Sequence, residues 1–408
     1  MKIAVRQCDI TPLRPCWQGG YVQRSQVYEH VHDPITATVL ALTLNDKKMI
    51  WVSLDVSGVQ ADLARQILDK TAAKGVTLEP EEIILGATHT HSGPLVGSYY
   101  DRPADPEYCD LLVDRVSSAI AEAYRDPGIE VEARYSKVMI DGLYSNRNDR
   151  NKQSDKMVHL LGFFEQGQLS ALYCTLAHHC TVLGPNFMDL SADLFGEIRR
   201  LLQKQFDVPV LMAQGNAGDM GNKQYRQSNL FDEVERQAAA IVDQIRKKQT
   251  PWETLQLREI QCRTVVYHAV YDLDAESFAQ KKADFEKQLE TETDFDTVKL
   301  LVTGIQSFER KIAAGSRHVE RKMPAWIYTF GDLQIVAVPG ELGSILGMRI
   351  KAASSAKVCL VWGYVDPCDL GYMIEKETYE GFSQESNVTD YPAGIPDAYA
   401  AAIIEALQ

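Results

Sequence analysis

The sequence predicts an α/β fold, a mixed, mostly parallel sheet flanked by helices, and three observations carry that prediction. Residues 47–89 read strand, helix, strand. "KKMIWVSLDV" is a continuous apolar run suited to a strand covered on both faces. "ADLARQILDKTAAKG" sets Leu63, Ile67 and Leu68 on one helical face before a glycine stop, and "EEIILGATH" is the next strand. That order implies neighbouring parallel strands joined by a right-handed crossover. Further strands are expected at 208–215, 332–340 and 356–364, with helices over about 106–125, 191–206 and 230–247. Thirdly, polar clusters follow the apolar strands at once: Asp55, His89, "GNAGD" at 215–219, "PGE" at 339–341 and Tyr364. In open α/β sheets ligands bind beyond the carboxyl ends of the strands, so these clusters can converge on one site.

The stretch from 274 to 315, rich in Glu, Lys and Gln with spaced Phe, Leu and Ile, predicts a helical excursion, a cap over the sheet or a solvated hairpin. No internal repeat, low-complexity tract or linker interrupts the sequence. Residues 1–408 are expected to form a single domain with 274–315 as an insertion.

Composition narrows the function. With 45% hydrophobic and 24% charged residues the chain can build an ordinary packed core. A net charge of −14 argues against nucleic acid as a partner, which needs a basic footprint. No apolar run reaches the roughly 18–20 residues of an integral membrane span, and the N-terminus "MKIAVRQCDITPLRP" has no signal-peptide apolar core. The eight cysteines are scattered without a CxxC pair, so reduced thiols in a cytoplasmic protein are expected. Oligomeric state has no signature.

Only nine histidines occur, and two of them share "GATHTHSGP". On an extended backbone residues i and i+2 point to one side, so His89 and His91 can look into one pocket. A second pair, His178 and His179, follows the apolar "LSALYCTLA", and Glu341 offers a carboxylate. Two imidazoles and a carboxylate with an open position form the ligand set of a catalytic zinc site, although the spacing by itself is a weak signal.

These motifs together resemble the neutral, non-lysosomal ceramidases, zinc-dependent amidohydrolases. "DITP", "HDP", "SLD", "GATHTHSGP", "NRN", "HHCTVLG", "LSAD", "QGNAGD", "VPGE" and "TYEGF" follow the family's landmarks in order over residues 9–385. The resemblance implies one Zn²⁺ per chain held by His89, His179, Glu341 and Tyr379, in a ligand set that Fe or Mn also suits. It implies His91 beside the metal-activated water and substrate, and Arg147 and Tyr364 holding the polarised carbonyl oxygen. Asp33, Asp55, His178, Asp193, Asn216 and Asp219 are then expected to orient ligands, line the substrate or cap loops.

What the resemblance implies is hydrolysis of an N-acyl amide, ceramide included, by metal-activated water, within sphingolipid or lipid metabolism. Departures from the family bear on substrate. Gly221 stands where those ceramidases carry a serine, and no C-terminal β-sandwich domain is expected. A hydrolase of a small soluble N-acyl compound, or of an ester or lactone, is the first alternative. A non-catalytic binding homologue is the second.

Overall fold

Apolar runs separated by turn residues fold into three large sheets that repeat one topology. The computed structural model describes residues 1–97 and 102–408. In the first sheet β1 (Lys2–Asp9), β2 (Thr36–Leu44) and β3 (Lys47–Leu54) form an antiparallel meander. Helix α1 (Ala61–Ala73) crosses to β4 (Ile83–Ala87), which lies parallel to β3. Helix α2 (Pro106–Arg125) follows, and the short β5 (Ile129–Glu130) edges the sheet beside β1.

The second sheet repeats this with β6 (Glu132–Met139), β8 (Met157–Glu165) and β9 (Gln168–Leu176), then α3 (Asp193–Phe206), β10 (Val210–Gln214) and α4 (Phe231–Lys248). A short β12 (Glu253–Thr254) edges it, and β7 (Ser145–Asn146) pairs with β11 (Met220–Gly221) as a separate ribbon. The third sheet uses β13 (Leu257–Leu273), β14 (Arg317–Gly331) and β15 (Leu333–Ala337), then α7 (Ser344–Ala353), β17 (Val358–Trp362) and α9 (Ile395–Leu407). Between β13 and β14 stand α5 (Ala275–Leu289) and α6 (Phe295–Ala313), so the helical excursion over 274–315 is a hairpin of two helices carried on a long β-hairpin. The short β16 (Glu341–Leu342) pairs with β18 (Tyr372–Met373), and α8 (Gln384–Val388) precedes α9.

Each large sheet therefore holds one parallel pair, and the expectation of a mostly parallel sheet is corrected to mixed sheets. The physical reason lies in two turns. Asn45-Asp46 and Gln166-Gly167, all at positive φ, join β2 to β3 and β8 to β9. A two-residue turn can connect only antiparallel strands.

Helices cover one face of each sheet: α1 and α2, α3 and α4, α7 and α9. The other faces share one aromatic core, where the Trp51 ring meets Tyr173, Phe330 and Trp362 edge-on at 5.5, 5.8 and 6.3 Å. Burial on both faces explains why these strands read as unbroken apolar runs. No helix among the described residues is long and apolar enough to cross a membrane.

The repeated topology sets one functional edge. In every repeat the parallel pair ends there, and the first and third meander strands run the same way. The connections 10–35, 140–156 and 274–316 consequently return to that edge as well.

Candidate metal centre

His89 follows β4, His179 follows β9, and Glu341 begins β16 just beyond β15, one from each repeat. The Nε2 atoms of His89 and His179 lie 3.1 Å apart, and Nε2 of His91 lies 3.0 Å from that of His89. Glu341 Oε2 sits 3.6 Å from His89 Nε2 and 3.8 Å from His179 Nε2, buried without a hydrogen-bond partner. Among the described residues, His89, His91 and His179 form a group able to hold a metal ion.

The tautomers follow from what the other ring nitrogens touch. His89 Nδ1 donates to the carbonyl of Ser57, and His179 Nδ1 lies 3.3 Å from the carbonyl of Ala217. A carbonyl can only accept, so both Nδ1 atoms carry the proton and both Nε2 atoms present lone pairs. Burial holds both imidazoles neutral: His89 is pushed down to about 4, and His179 is lowered well below the usual value. Two lone pairs and an orphaned carboxylate oxygen meeting in a dry place are an electrostatic conflict that a cation resolves. These donors fit a divalent metal.

Behind the ligands stands a polar scaffold. Arg147, after β7, donates from Nε to Glu385 of α8 at 2.5 Å and from Nη2 to the Tyr372 hydroxyl at 3.2 Å. Burial pushes the Glu341 carboxyl up to about 7, against the Arg147 charge and hydrogen bonds from Tyr372 and Tyr364, which lower it. Tyr372 sits opposite Glu341 in the β16–β18 ribbon, and its ring stacks over His179 at 6.2 Å.

The other expected residues are placed as follows. Tyr364 is fully buried behind the imidazoles, its ring 4.2 Å from that of His89 and its hydroxyl 3.5 Å from His179 Nδ1. Asp219 accepts from Asn146 Nδ2 and from the Ser344 amide, both at 2.7 Å, tying the Arg147 strand to the segment after Glu341. Asn216 donates to the Ser344 carbonyl. Asp193 accepts from the amides of Leu183 and Leu194, fixing the loop after His179. Asp33 accepts from the Ala192 amide at the start of α3. Asp55 forms a buried two-pronged ion pair with Arg199, at 2.9 and 2.7 Å, that clamps α3 to the first sheet. His178 has neither ring nitrogen partnered and packs edge-on against Tyr144.

Tyr379 is placed apart from these residues. It lies in the 3-10 turn Lys376–Glu380 and lines a separate cavity with Asp272, Phe278, Lys311 and Tyr391. After Tyr372 the chain leaves the site through that turn and returns only with α8, so Glu385 comes back and Tyr379 does not. Tyr372 is the phenol at the centre.

No protein-family model matches the sequence, and no curated protein does either. Solved structures do. Neutral ceramidase from Pseudomonas aeruginosa superposes with a TM-score of 0.75 at 16% identity, over 99% of this chain and 73% of that one. A ceramidase complexed with C2 gives 0.72 at 16% identity, over 98% and 73%. The chain has the neutral ceramidase fold.

Within this ceramidase fold, three non-glycine residues at the functional edge are held at positive φ, as the turn residues Asn45, Asp46 and Gln166 are elsewhere. His89, Asp193 and Tyr364 adopt φ of +62°, +51° and +57°, at about 1–3 kcal/mol each for non-glycine residues. Such outliers persist where surrounding structure imposes them. Gly218 is required for contact: a Cβ there would lie 2.4 Å from the Glu341 carbonyl oxygen. The "GNAGD" turn is thus pressed against the backbone that carries Glu341.

The ceramidase fold leaves a cavity of about 140 Å³ over the centre, lined by His91, His179, Arg147 and Tyr372 from below and by Lys299 and Thr303 from above. Those last two residues belong to α6, so the helical excursion roofs the site. Sequence patterning marks α6 as amphipathic but not which partner its polar face meets. Tyr372 and Glu385 carry no spacing signal at all; their place follows from the β16–β18 register and the turn after it.

Proposed function

We propose that this protein is a metal-dependent hydrolase that cleaves the amide bond of an N-acyl substrate. The facing lone pairs of His89 and His179, with the orphaned oxygen of Glu341, carry this reading. When bound, zinc supplies Lewis acidity and lowers the pKa of water from about 16 to about 7. Arg147 and the Tyr372 hydroxyl face the cavity and are placed to hold a developing oxyanion. One such donor in a dry site contributes about 3–4 kcal/mol.

His91 differs from the other two imidazoles. Its Nδ1 is buried without a partner, so no carbonyl locks its tautomer. A ligand histidine ordinarily has its second nitrogen fixed, as His89 and His179 do. His91 is accordingly assigned to carry the proton toward the leaving amine. Tyr364 holds the ligands in place from behind.

The cavity's size favours the second reading of substrate, a small soluble N-acyl compound, over long-chain ceramide. Its volume falls below the roughly 300 Å³ of pockets that enclose drug-sized ligands.

The test is metal analysis of protein purified without chelators, followed by a panel of N-acyl substrates of graded chain length. Bound zinc, iron or manganese and chelator-sensitive amide hydrolysis are expected. Full turnover by demetallated protein would overturn the reading.

A further inference from the structure

A second cavity lies apart from the metal centre. About 380 Å³ opens where α1, β4 and β14 meet, and it shares no lining residue with the cavity over His91 and His179. Its volume falls within the roughly 300–1,000 Å³ of small-molecule sites. Leu68 of α1, Leu78 and the Trp326 indole of β14 give it apolar walls. Moving an apolar ligand from water onto such walls is favourable in proportion to the area covered.

The charged residues along the wall are Arg65, Asp69 and Asp366. Arg65 is already paired, with Nη2 2.8 Å from an Asp62 carboxylate oxygen. Asp366 is unsatisfied. Its amide donates to the Leu85 carbonyl, but its Oδ1 is buried without a hydrogen-bond partner. Burial, with the Asp369 charge added, pushes the Asp366 carboxyl up to about 7, and no basic group offsets the two. A buried oxygen of this kind is stabilised by a donor, and most by a charged one. The indole is also the aromatic ring that best holds a cation. Apolar walls, an orphaned carboxylate oxygen and an indole together describe one ligand chemistry.

We infer that this cavity is a second ligand site, which takes an amphiphilic amine. Its apolar chain lies against Leu68, Leu78 and Trp326, and its ammonium group meets Asp366. The site stands independently of the hydrolase reading, because none of its residues belongs to the metal centre.

The test is isothermal titration calorimetry of the full chain at pH 8, where the Asp366 carboxyl is ionised, with hexylamine against 1-hexanol. The amine is expected to bind at least about tenfold more tightly, the effect of one charge-assisted contact. Asp366→Asn should remove most of that preference while leaving the alcohol's affinity in place. Intrinsic fluorescence locates the site separately: the amine should perturb it in the parent and not in Trp326→Phe. Binding should also survive chelation of any metal. Failure of the amine to bind, equal affinity for amine and alcohol, or a preference untouched by Asp366→Asn overturns the inference. So does a fluorescence response that persists in Trp326→Phe, or amine binding that disappears with the metal, since either puts the amine elsewhere.

Discussion

His89 and His179 point their Nε2 atoms at each other across 3.1 Å, while each commits its Nδ1 to a main-chain carbonyl, of Ser57 and Ala217. Neither nitrogen has a proton to offer the other, and a cation between them would satisfy both lone pairs. Substituting either histidine by Ala, or Glu341 by Gln, should strip the metal and abolish turnover. Elemental analysis of each variant beside the parent checks this, and full metal content in His179→Ala would refute the assignment. Chelation should also lower the midpoint of thermal unfolding, because an ion bound to the native state alone stabilises it by mass action.

Metal uptake should depend on pH through Glu341. Burial raises its carboxyl from about 4.5 to about 7, while His89 sits near 4 and is already neutral at pH 6. A ligand must lose its proton to bind, so each ion taken up below pH 7 displaces one proton from Glu341. Affinity should fall about tenfold per pH unit below 7 and level off above it. The metal-free protein shows the reverse sign in stability: a raised carboxyl favours the native state below about 4.5, and that contribution is lost as pH rises through 7. Titration calorimetry in buffers of different ionisation enthalpy counts the protons. Release of none at pH 6 would contradict the scheme.

Two tyrosines compete for the role beside the ligands, and kinetics separates them. Tyr372 touches Arg147 and stacks over His179, whereas Tyr379 lies in another cavity. Tyr372→Phe should lower kcat by about 10²–10³-fold, the scale of one lost oxyanion donor. Tyr379→Phe should leave kcat within a few-fold of the parent. The opposite ranking would restore Tyr379 to the centre.

Much of this was legible in the sequence, for physical reasons that also mark its limits. The strand-end positions of His89, His179 and Glu341 were readable because apolar runs end sharply at polar residues, and strand ends are where α/β sheets place ligands. The helices over 106–125 and 230–247 were readable from amphipathic spacing. Sheet direction was not, since Asn45-Asp46 and Gln166-Gly167 do their turning through positive φ, which leaves no hydrophobic trace. The threefold repetition of meander, crossover and helix was equally invisible, because topology repeats here without residue identity. Tyr372 carries no signal in the sequence, because a two-residue ribbon fixes it by register with Glu341 alone.

The Asp55–Arg199 pair should matter to stability more than to chemistry. Both groups are buried, and Asp55 also accepts from the Thr36 amide and hydroxyl, so β2, β3 and α3 meet on one carboxylate. Removing one partner strands the other charge in the interior, at a cost of about 3–5 kcal/mol. Asp55→Asn and Arg199→Met should each lower the unfolding free energy by that amount, and the double variant should lose less than the sum of the two. Metal content per folded molecule should hold. Strict additivity in denaturant titrations would show that the two side chains act independently, and loss of metal from the folded single variants would move Asp55 from the scaffold to the site.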